Sequence, residues 1–532
     1  MALTLSPMFA DGCVLQRNRT LKVHGVAGAG DRVVIEFAGG RWFGAADDAG
    51  VFAVPVGPLE VTPGETLMVG AGGNGKRVGS ARETVEAHNV AVGDVWLLGG
   101  QSNMELTLGA TAHAHPEALA ATDPLLRQLT IRQLPKWDSP RSPADLRADR
   151  WRAMSPTTAS GFSAVGYFFG AALRERTGVP IGLVATAVSG TPIAAWLPRG
   201  ELERLGVDLS DTDRCTQPGY VNRLAKNEAK ASKEYTGALD SADSGFDSED
   251  ATGWATTRLT EPVTYSGSTW FRTTITVPKS EWGKPARLFL GLATDADYAY
   301  VDGELVGHTP YAYPQRDYAL TLPSKPQITI TLRLLTYAGV GGWVPGKSRF
   351  VATDARTFDL TDAAWERRTG AITGDAPPPT FVRECPAGMF NGMIAPLEGM
   401  GLSGICWYQG ETDTSDPARY VEKLHAFVMS YRRLFGNADL PVLVQQLAYW
   451  DASAGTAPDL ETQARWEQVR AAQRRILELP HTGLSSGYDV GEFNDLHPQD
   501  KRVVGERLAR LAARVAYGDR PAPNMHEQYH CD

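Results

Sequence analysis

Cysteine is scarce in this chain. Five residues, Cys13, Cys215, Cys385, Cys406 and Cys531, are scattered over 532 positions with no CxxC pair and no repeated spacing. That excludes a disulfide framework or a zinc ribbon as the basis of the fold. Long apolar runs are also missing: no stretch approaches the roughly 20 uninterrupted apolar residues that span a bilayer. The opening MALTLSPMFADGC has neither a basic segment nor a long apolar core, so a soluble, cytoplasmic protein without membrane contact is expected. An excess of positive charge is absent too. With 52 Lys+Arg against 61 Asp+Glu, the formal net charge is -9, which leaves no general electrostatic footprint for nucleic acid or anionic lipid.

What is present is an ordinary globular composition, 43% hydrophobic, on a chain too long for one core; two or three domains are expected. Residues 1–90 alternate short apolar runs with Gly, Asn and Asp, as in TLKVHGV, DRVVIEFAG and GVFAVPVG. This period of two predicts a small antiparallel β-sandwich. From Val92 the texture changes: VGDVWLLGG is continuously apolar, SAVGYFFGAALRER has helical spacing, and VPIGLVATAVSG is another buried run. Strand, helix and strand in that order predict an α/β domain around a parallel sheet, here over 91–235. The pattern stops at EYTGALDSADSGFDSEDATG, read as a solvated linker, and β alternation takes over across 236–371. The α/β texture resumes over 372–520 with SGICWYQG, ARYVEKLHAFVMSYRRLFG, LPVLVQQLAYW and KRVVGERLARLAARVAYG, leaving 521–532 as a tail. One α/β domain is therefore expected to be split by a β insertion.

Chemistry gathers at strand ends. Gly99-Gly100-Gln101-Ser102-Asn103-Met104 follows the strand VWLL, where glycines let the chain turn sharply and expose the next side chain. Ser102 is a nucleophile candidate, although the segment also reads as a turn with an N-cap serine. A serine hydroxyl is a weak nucleophile at neutral pH and needs a base. Asn494-Asp495-Leu496-His497-Pro498 offers a histidine with a carboxylate two residues away, just before the last helix. A lone histidine there is more often structural; its pairing with a strand-end serine favours catalysis. Two further strand-end loops, Val188-Ser189-Gly190-Thr191-Pro192 and Trp407-Tyr408-Gln409-Gly410-Glu411, supply donors for an oxyanion, the Gly190 N–H and the Gln409 amide.

The blocks GDVWLLGGQSNMEL, SGTPIAAWLP, NGMIAPLEGMGLSGICWYQGETD and NDLHPQDKRVVGERLA, in that order, resemble the successive motifs of the SGNH hydrolases, specifically the sialate O-acetylesterase-like branch of the carbohydrate esterases. LSPMFADGCVLQR is similar to the small β domain that precedes the catalytic domain there. The resemblance implies a flavodoxin-like, three-layer α/β hydrolase domain with an N-terminal β-sandwich and an inserted β jelly-roll similar to sugar-binding modules. It implies a serine esterase that removes O-acetyl groups from sugars through an acyl-enzyme, with no metal or organic cofactor. Ser102 becomes the nucleophile and His497 the general base; Ser102 N–H, Gly190 N–H and the Gln409 side chain become the oxyanion hole. Gln409 takes the place of the asparagine found in many relatives. At the acid the chain departs from the broader pattern: three residues before the histidine stands Asn494, and the aspartate is Asp495, with Asp489 and Glu492 as alternatives.

For the substrate, O-acetylated sialic acids rank first, since no secretion signal is visible, and acetylated xylan or xyloglucan second. A sialic acid carboxylate calls for an arginine, and Arg383, Arg465 and Arg470 lie near the blocks. In the insertion, Trp270, Tyr298, Tyr311 and Tyr313 either stack on sugar or form sandwich core.

Rival readings are weaker. Gly341-Gly342-Trp343-Val344-Pro345-Gly346-Lys347-Ser348 matches a P-loop string, but RFVATDARTFDL after it does not open a helix. Gly483-Leu484-Ser485-Ser486-Gly487 matches GxSxG, yet lies too close to His497 for a lipase-type order. His113 with His115, and His526 with His530, lack further ligands at metal spacing. A carbohydrate-binding protein with a vestigial hydrolase site is the alternative of another class, opposed by the presence of both Ser102 and His497.

Overall fold

The computed structural model describes residues 2–73, 76–243, 245, 253–451, 459–492 and 495–518. Asn494 and the tail 521–532, with His526, His530 and Cys531, lie outside the described residues.

The centre is a parallel sheet built from β1 (Glu83–Gly100), β2 (Asp123–Thr130), β3 (Arg152–Met154), β4 (Ile181–Ala185), β5 (Gly404–Tyr408), β6 (Val442–Gln445) and β7 (Thr482–Ser485). The order across it is β3-β2-β4-β1-β5-β6-β7, with only β3 antiparallel to its neighbour. Alternate residues of the buried strands serve opposite faces. Trp96, Leu98 and Cys406 pack against α2 (Ala164–Thr177) and the final helix, whereas Val95, Leu97 and Ile405 face the core that holds Phe427, Trp466 and Val469. A strand covered on both faces must be apolar throughout, which is why VWLL and GICW read as continuous runs. The chain moves outward from β1 to β2, returns through β4, then crosses to β5 on the other side. The carboxyl end of β1 is therefore the topological switch point, where open α/β sheets leave a crevice for ligands.

The boundary expected at residue 90 is crossed by one strand. The first half of β1 alternates in burial and pairs with Thr62–Ala71 of the N-terminal sheets; from Val90 it is buried throughout and joins the central sheet. The change of texture at Val92 thus records a change of layer within one element. The small three-stranded sheet of Thr4–Leu5, Leu21–Val26 and Val51–Val56 completes the N-terminal domain.

The insertion forms a six-stranded and a four-stranded antiparallel sheet around a core that includes Phe271, Leu288, Leu332, Trp343 and Trp365. The linker reading needs correction over its first half. EYTGALDSA is the end of the 23-residue helix α3 (Tyr220–Ala242), followed directly by Asp243. Tyr235 and Leu239, four apart on one face, pack on Leu335 and Ala371 of the insertion. Asp243 accepts from Trp270 Nε1 at 2.8 Å and Arg333 Nε at 2.7 Å. The acidic, small-residue composition belongs to a helix with a narrow buried stripe. The Gly342–Trp343 strand of the P-loop-like string is followed by strand Phe350–Ala352, with no helix between, and Ser485 of the GxSxG match is the last residue of β7.

Candidate active site

Gly100 ends β1 with φ +133°, and a Cβ there would come within 2.0 Å of the Tyr408 carbonyl, so only glycine lets the ends of β1 and β5 approach. Gln101 N–H donates to Tyr408 O at 3.0 Å, and the short helix α1 (Ser102–Glu105) starts at once. Ser102 is its half-buried first residue, whose N–H no intrahelical carbonyl can satisfy. The loop after β4 is fastened to the same turn: Ser189 N–H and Oγ both donate to Glu105 Oε2 at 2.6 Å. Gly190 follows with φ +76°. Among the hydrogen bonds of the described residues, the N–H groups of Ser102 and Gly190 have no acceptor.

Asn103 joins this turn to the histidine segment. Its Nδ2 donates to Leu496 O at 3.1 Å and to Glu411 Oε1 at 2.6 Å, while its Oδ1 accepts from Lys501 Nζ at 2.6 Å. His497 is 7% exposed, and its Nε2 is buried without a partner. Burial, then the nearby Lys501 charge, push the imidazole down to about 3, so it stays neutral. No hydrogen bond between Ser102 Oγ and His497 is present among the described residues.

Asp495 lies beside His497 but meets its backbone rather than its ring. Oδ1 accepts the His497 N–H at 2.8 Å, the short-range turn favoured by a carboxylate two residues back. Oδ2 accepts from Gln315 Nε2 at 2.9 Å and Lys347 Nζ at 3.2 Å. The alternatives are engaged elsewhere: Asp489 takes two bonds from Arg507 at 2.7 and 2.6 Å, and Glu492 binds Lys347 Nζ at 2.6 Å and Gln499 N–H at 2.5 Å. Burial raises the Asp495 carboxyl above the ordinary range while Lys347 opposes it.

Gln409 is fully buried, and its amide nitrogen already faces Asp413 Oδ2 at 2.6 Å, Thr191 O at 3.2 Å and Gln101 Oε1 at 3.3 Å. Tyr420 Oη donates to its Oε1 at 3.0 Å. An amide with two N–H groups so committed holds the three strand-end loops together. Gln409→Ala should therefore lower the thermal transition, by about 2 kcal/mol of stability or more, because the buried Asp413 carboxylate loses a donor. A thermal melt that matches wild type beside a large loss of turnover would return Gln409 to the oxyanion role.

Three residues of the insertion reach this site, and none was foreseen as catalytic apparatus: Gln315, Lys347, and Tyr313, whose ring meets the His497 ring edge-on at 5.4 Å. Lys347 lies in the P-loop-like string, so the one signal available pointed to the wrong chemistry. Tyr313 and Tyr311 are exposed, as a stacking role needs; Trp270 is 4% exposed and part of the interior, and Tyr298 is half-buried against His308. Of the arginines, Arg465 pairs with Glu461, Arg470 pairs with Glu467 and covers the Tyr488 ring, and Arg383 lies beside Gly190. His115 meets Asp500 at 2.9 Å and His113 packs on Phe289. No group of three or more metal-ligating side chains occurs among the described residues, nor any helix long and apolar enough to cross a membrane.

Curated and solved proteins are similar to this chain. Sialate O-acetylesterase of Rattus norvegicus is 30% identical over 171 residues and that of Mus musculus 31% over 179 residues; each match covers 31% of this chain and 29% of the relative. The chain thus spans under a third of the length of these curated relatives. A carbohydrate acetylesterase from Xanthomonas citri is 25% identical, with a TM-score of 0.58, over 97% of this chain and 76% of that one. The profile of the carbohydrate esterase family described as sialic acid-specific acetylesterase matches residues 92–237 and 387–514, just over half of the chain and both parts of the split α/β domain. On that match across the β1 turn, the β4 and β5 loops and the His497 segment, the chain belongs to the sialic acid-specific acetylesterase family of carbohydrate esterases.

Proposed function

We propose that this protein is a serine esterase that removes O-acetyl groups from sugars, O-acetylated sialic acids first among them. The observation that carries the reading is the hydrogen-bonded junction of four distant segments at Ser102: Gln101 to Tyr408, Ser189 to Glu105, Asn103 to Leu496 and Lys501 to Asn103. In the proposed reaction Ser102 Oγ attacks the acetyl carbonyl while His497 takes its proton. The N–H groups of Ser102 and Gly190 receive the oxyanion. The protonated His497 then gives the proton to the departing sugar oxygen, which leaves as the hydroxyl. Water repeats the attack on the acetyl-enzyme, with His497 again as base; His497 then returns that proton to Ser102 Oγ as the acyl bond breaks, and acetic acid leaves as acetate. Asp495 fixes the His497 backbone, and Lys501 beneath Asn103 holds the turn that carries Ser102.

A neutral imidazole is the working base, and burial keeps His497 neutral well below the ordinary imidazole value of 6.5. The acid limb of kcat/KM should accordingly lie well below pH 6.5, with activity retained in mild acid. A p-nitrophenyl acetate profile whose rate halves near pH 6.5 or above would contradict this.

A second reading is acetyl groups on neutral hemicellulose. The relative that matches over 97% of this chain is described as a carbohydrate acetylesterase, with no sugar specified, whereas the sialate O-acetylesterases match about a third of it. Acetate release from O-acetylated sialic acids, measured beside acetylated xylo-oligosaccharides at matched concentration, separates the two. Preference for the acidic sugar supports the first reading, and preference for the neutral one replaces it while leaving the Ser102 chemistry in place.

A further inference from the structure

Arg383 belongs to the helical turn Val382–Glu384, which approaches the loop after β4 at Gly190. A Cβ built on Gly190 would lie 3.7 Å from Arg383 Nη2 and 3.9 Å from Nε. The guanidinium therefore flanks the glycine whose N–H is free for an oxyanion. Its Cζ rests 4.8 Å from the centre of the Phe381 ring, and its Nε is buried without an acceptor. Glu384 Oε1 is also 3.7 Å from the same point, and its half-buried carboxyl is the negative charge that faces Arg383 here. Among the described residues no acceptor pairs with the Arg383 guanidinium, and Nη2, its atom nearest Gly190, is the donor that faces the loop. A planar cation with spare donors takes a carboxylate by two parallel bonds, while a carboxylate beside it accepts a sugar hydroxyl.

We propose that Arg383 is a specificity-determining residue that binds the carboxylate of an acidic O-acetylated sugar, with Glu384 accepting from a neighbouring hydroxyl. The inference rests on the acetylesterase reading above and narrows its substrate class, because a neutral acetylated sugar brings no carboxylate to pair with the guanidinium. A group at Gly190 is close enough to the reacting carbonyl for this contact to orient the ring that carries the acetyl group.

The test compares a carboxylate with its neutral isostere. N-acetylneuraminic acid and its methyl ester are measured as competitive inhibitors of p-nitrophenyl acetate hydrolysis, and the ratio of the two inhibition constants is read in each variant. Wild type should bind the free acid roughly 10- to 100-fold more tightly than the ester. Arg383→Gln should bring the ratio to about one, Arg383→Lys should keep part of it, and Glu384→Gln should raise it by removing the facing negative charge. A purely structural role for Arg383 would weaken acid and ester alike and leave the ratio unchanged. A wild-type ratio near one, or an undiminished ratio in Arg383→Gln, overturns the assignment. A wild type that prefers the acid but releases no acetate from O-acetylated sialic acid keeps Arg383 and overturns the sialate reading instead.

Discussion

Ser102→Ala should lower kcat for p-nitrophenyl acetate and for acetylated sugars by about 10⁴-fold or more, with an unchanged thermal transition. The half-buried hydroxyl at the first position of α1 has no hydrogen bond among the described residues, so its loss removes chemistry and little structure. The alanine variant keeps both backbone N–H donors, which accounts for the residual rate. His497→Ala should cost a similar factor, since His497 is the histidine of the segment that Asn103 ties to the Ser102 turn. The double variant should be little worse than either single one, because nucleophile and base act as a unit. Multiplicative losses, or a Ser102→Ala enzyme within tenfold of wild type, would remove Ser102 from the reaction.

Lys347→Met should be the most damaging change within the insertion. Lys347 is 8% exposed and Asp495 1%, and the ammonium lies 2.6 Å from Glu492 and 3.2 Å from Asp495. Removing one partner of a buried pair strands the other charge, at a cost of about 3 to 5 kcal/mol. Asp495 then either takes up a proton or draws in water, and the His497 N–H loses its fixed acceptor. Turnover should fall roughly 100-fold, as expected when a supporting group loosens the base's position. Asp495→Asn combined with Lys347→Met should recover stability relative to Lys347→Met alone, since the carboxylate that remains without the lysine, Glu492, is partly exposed to water. A Lys347→Met enzyme with wild-type turnover and melting would show that the insertion touches the site without supporting it.

The elements that could be read in advance are those whose environment is set by neighbours in the chain. Helices such as Tyr420–Leu434 and Arg502–Val515 carry their apolar stripe at helical spacing, and both appear where the spacing places them. Strand β2 escaped notice because Arg127 and Gln128 interrupt its apolar run. Arg127 is nonetheless 2% exposed, its guanidinium donating to the carbonyls of Gly12 at 3.0 Å and Pro124 at 2.9 Å. A buried arginine is tolerated there only because backbone oxygens of its own strand and of the N-terminal domain surround it, and no local period announces that. The end of helix α3 is hard to read for the converse reason: two residues, Tyr235 and Leu239, bury it, and the rest of residues 234–242 is solvated.

By itself the sequence determined the strand-end turns and marked Ser102, Gly190 and His497 as candidates in their order along the chain, because each depends on a run of adjacent residues and the turn that ends it. The partners of those residues were decided only by the tertiary structure. Asp495 was legible as the acid nearest His497, yet which of its neighbours it bonds depends on Lys347 and Gln315, 148 and 180 residues away. The amide of Gln409 was legible as a donor, but its commitment to Asp413 and Thr191 follows from the approach of β5 to the loop after β4. Side chains that meet across such separations are positioned by the packing of whole sheets, and the energy that selects them is spread over buried contacts that no short window of sequence contains.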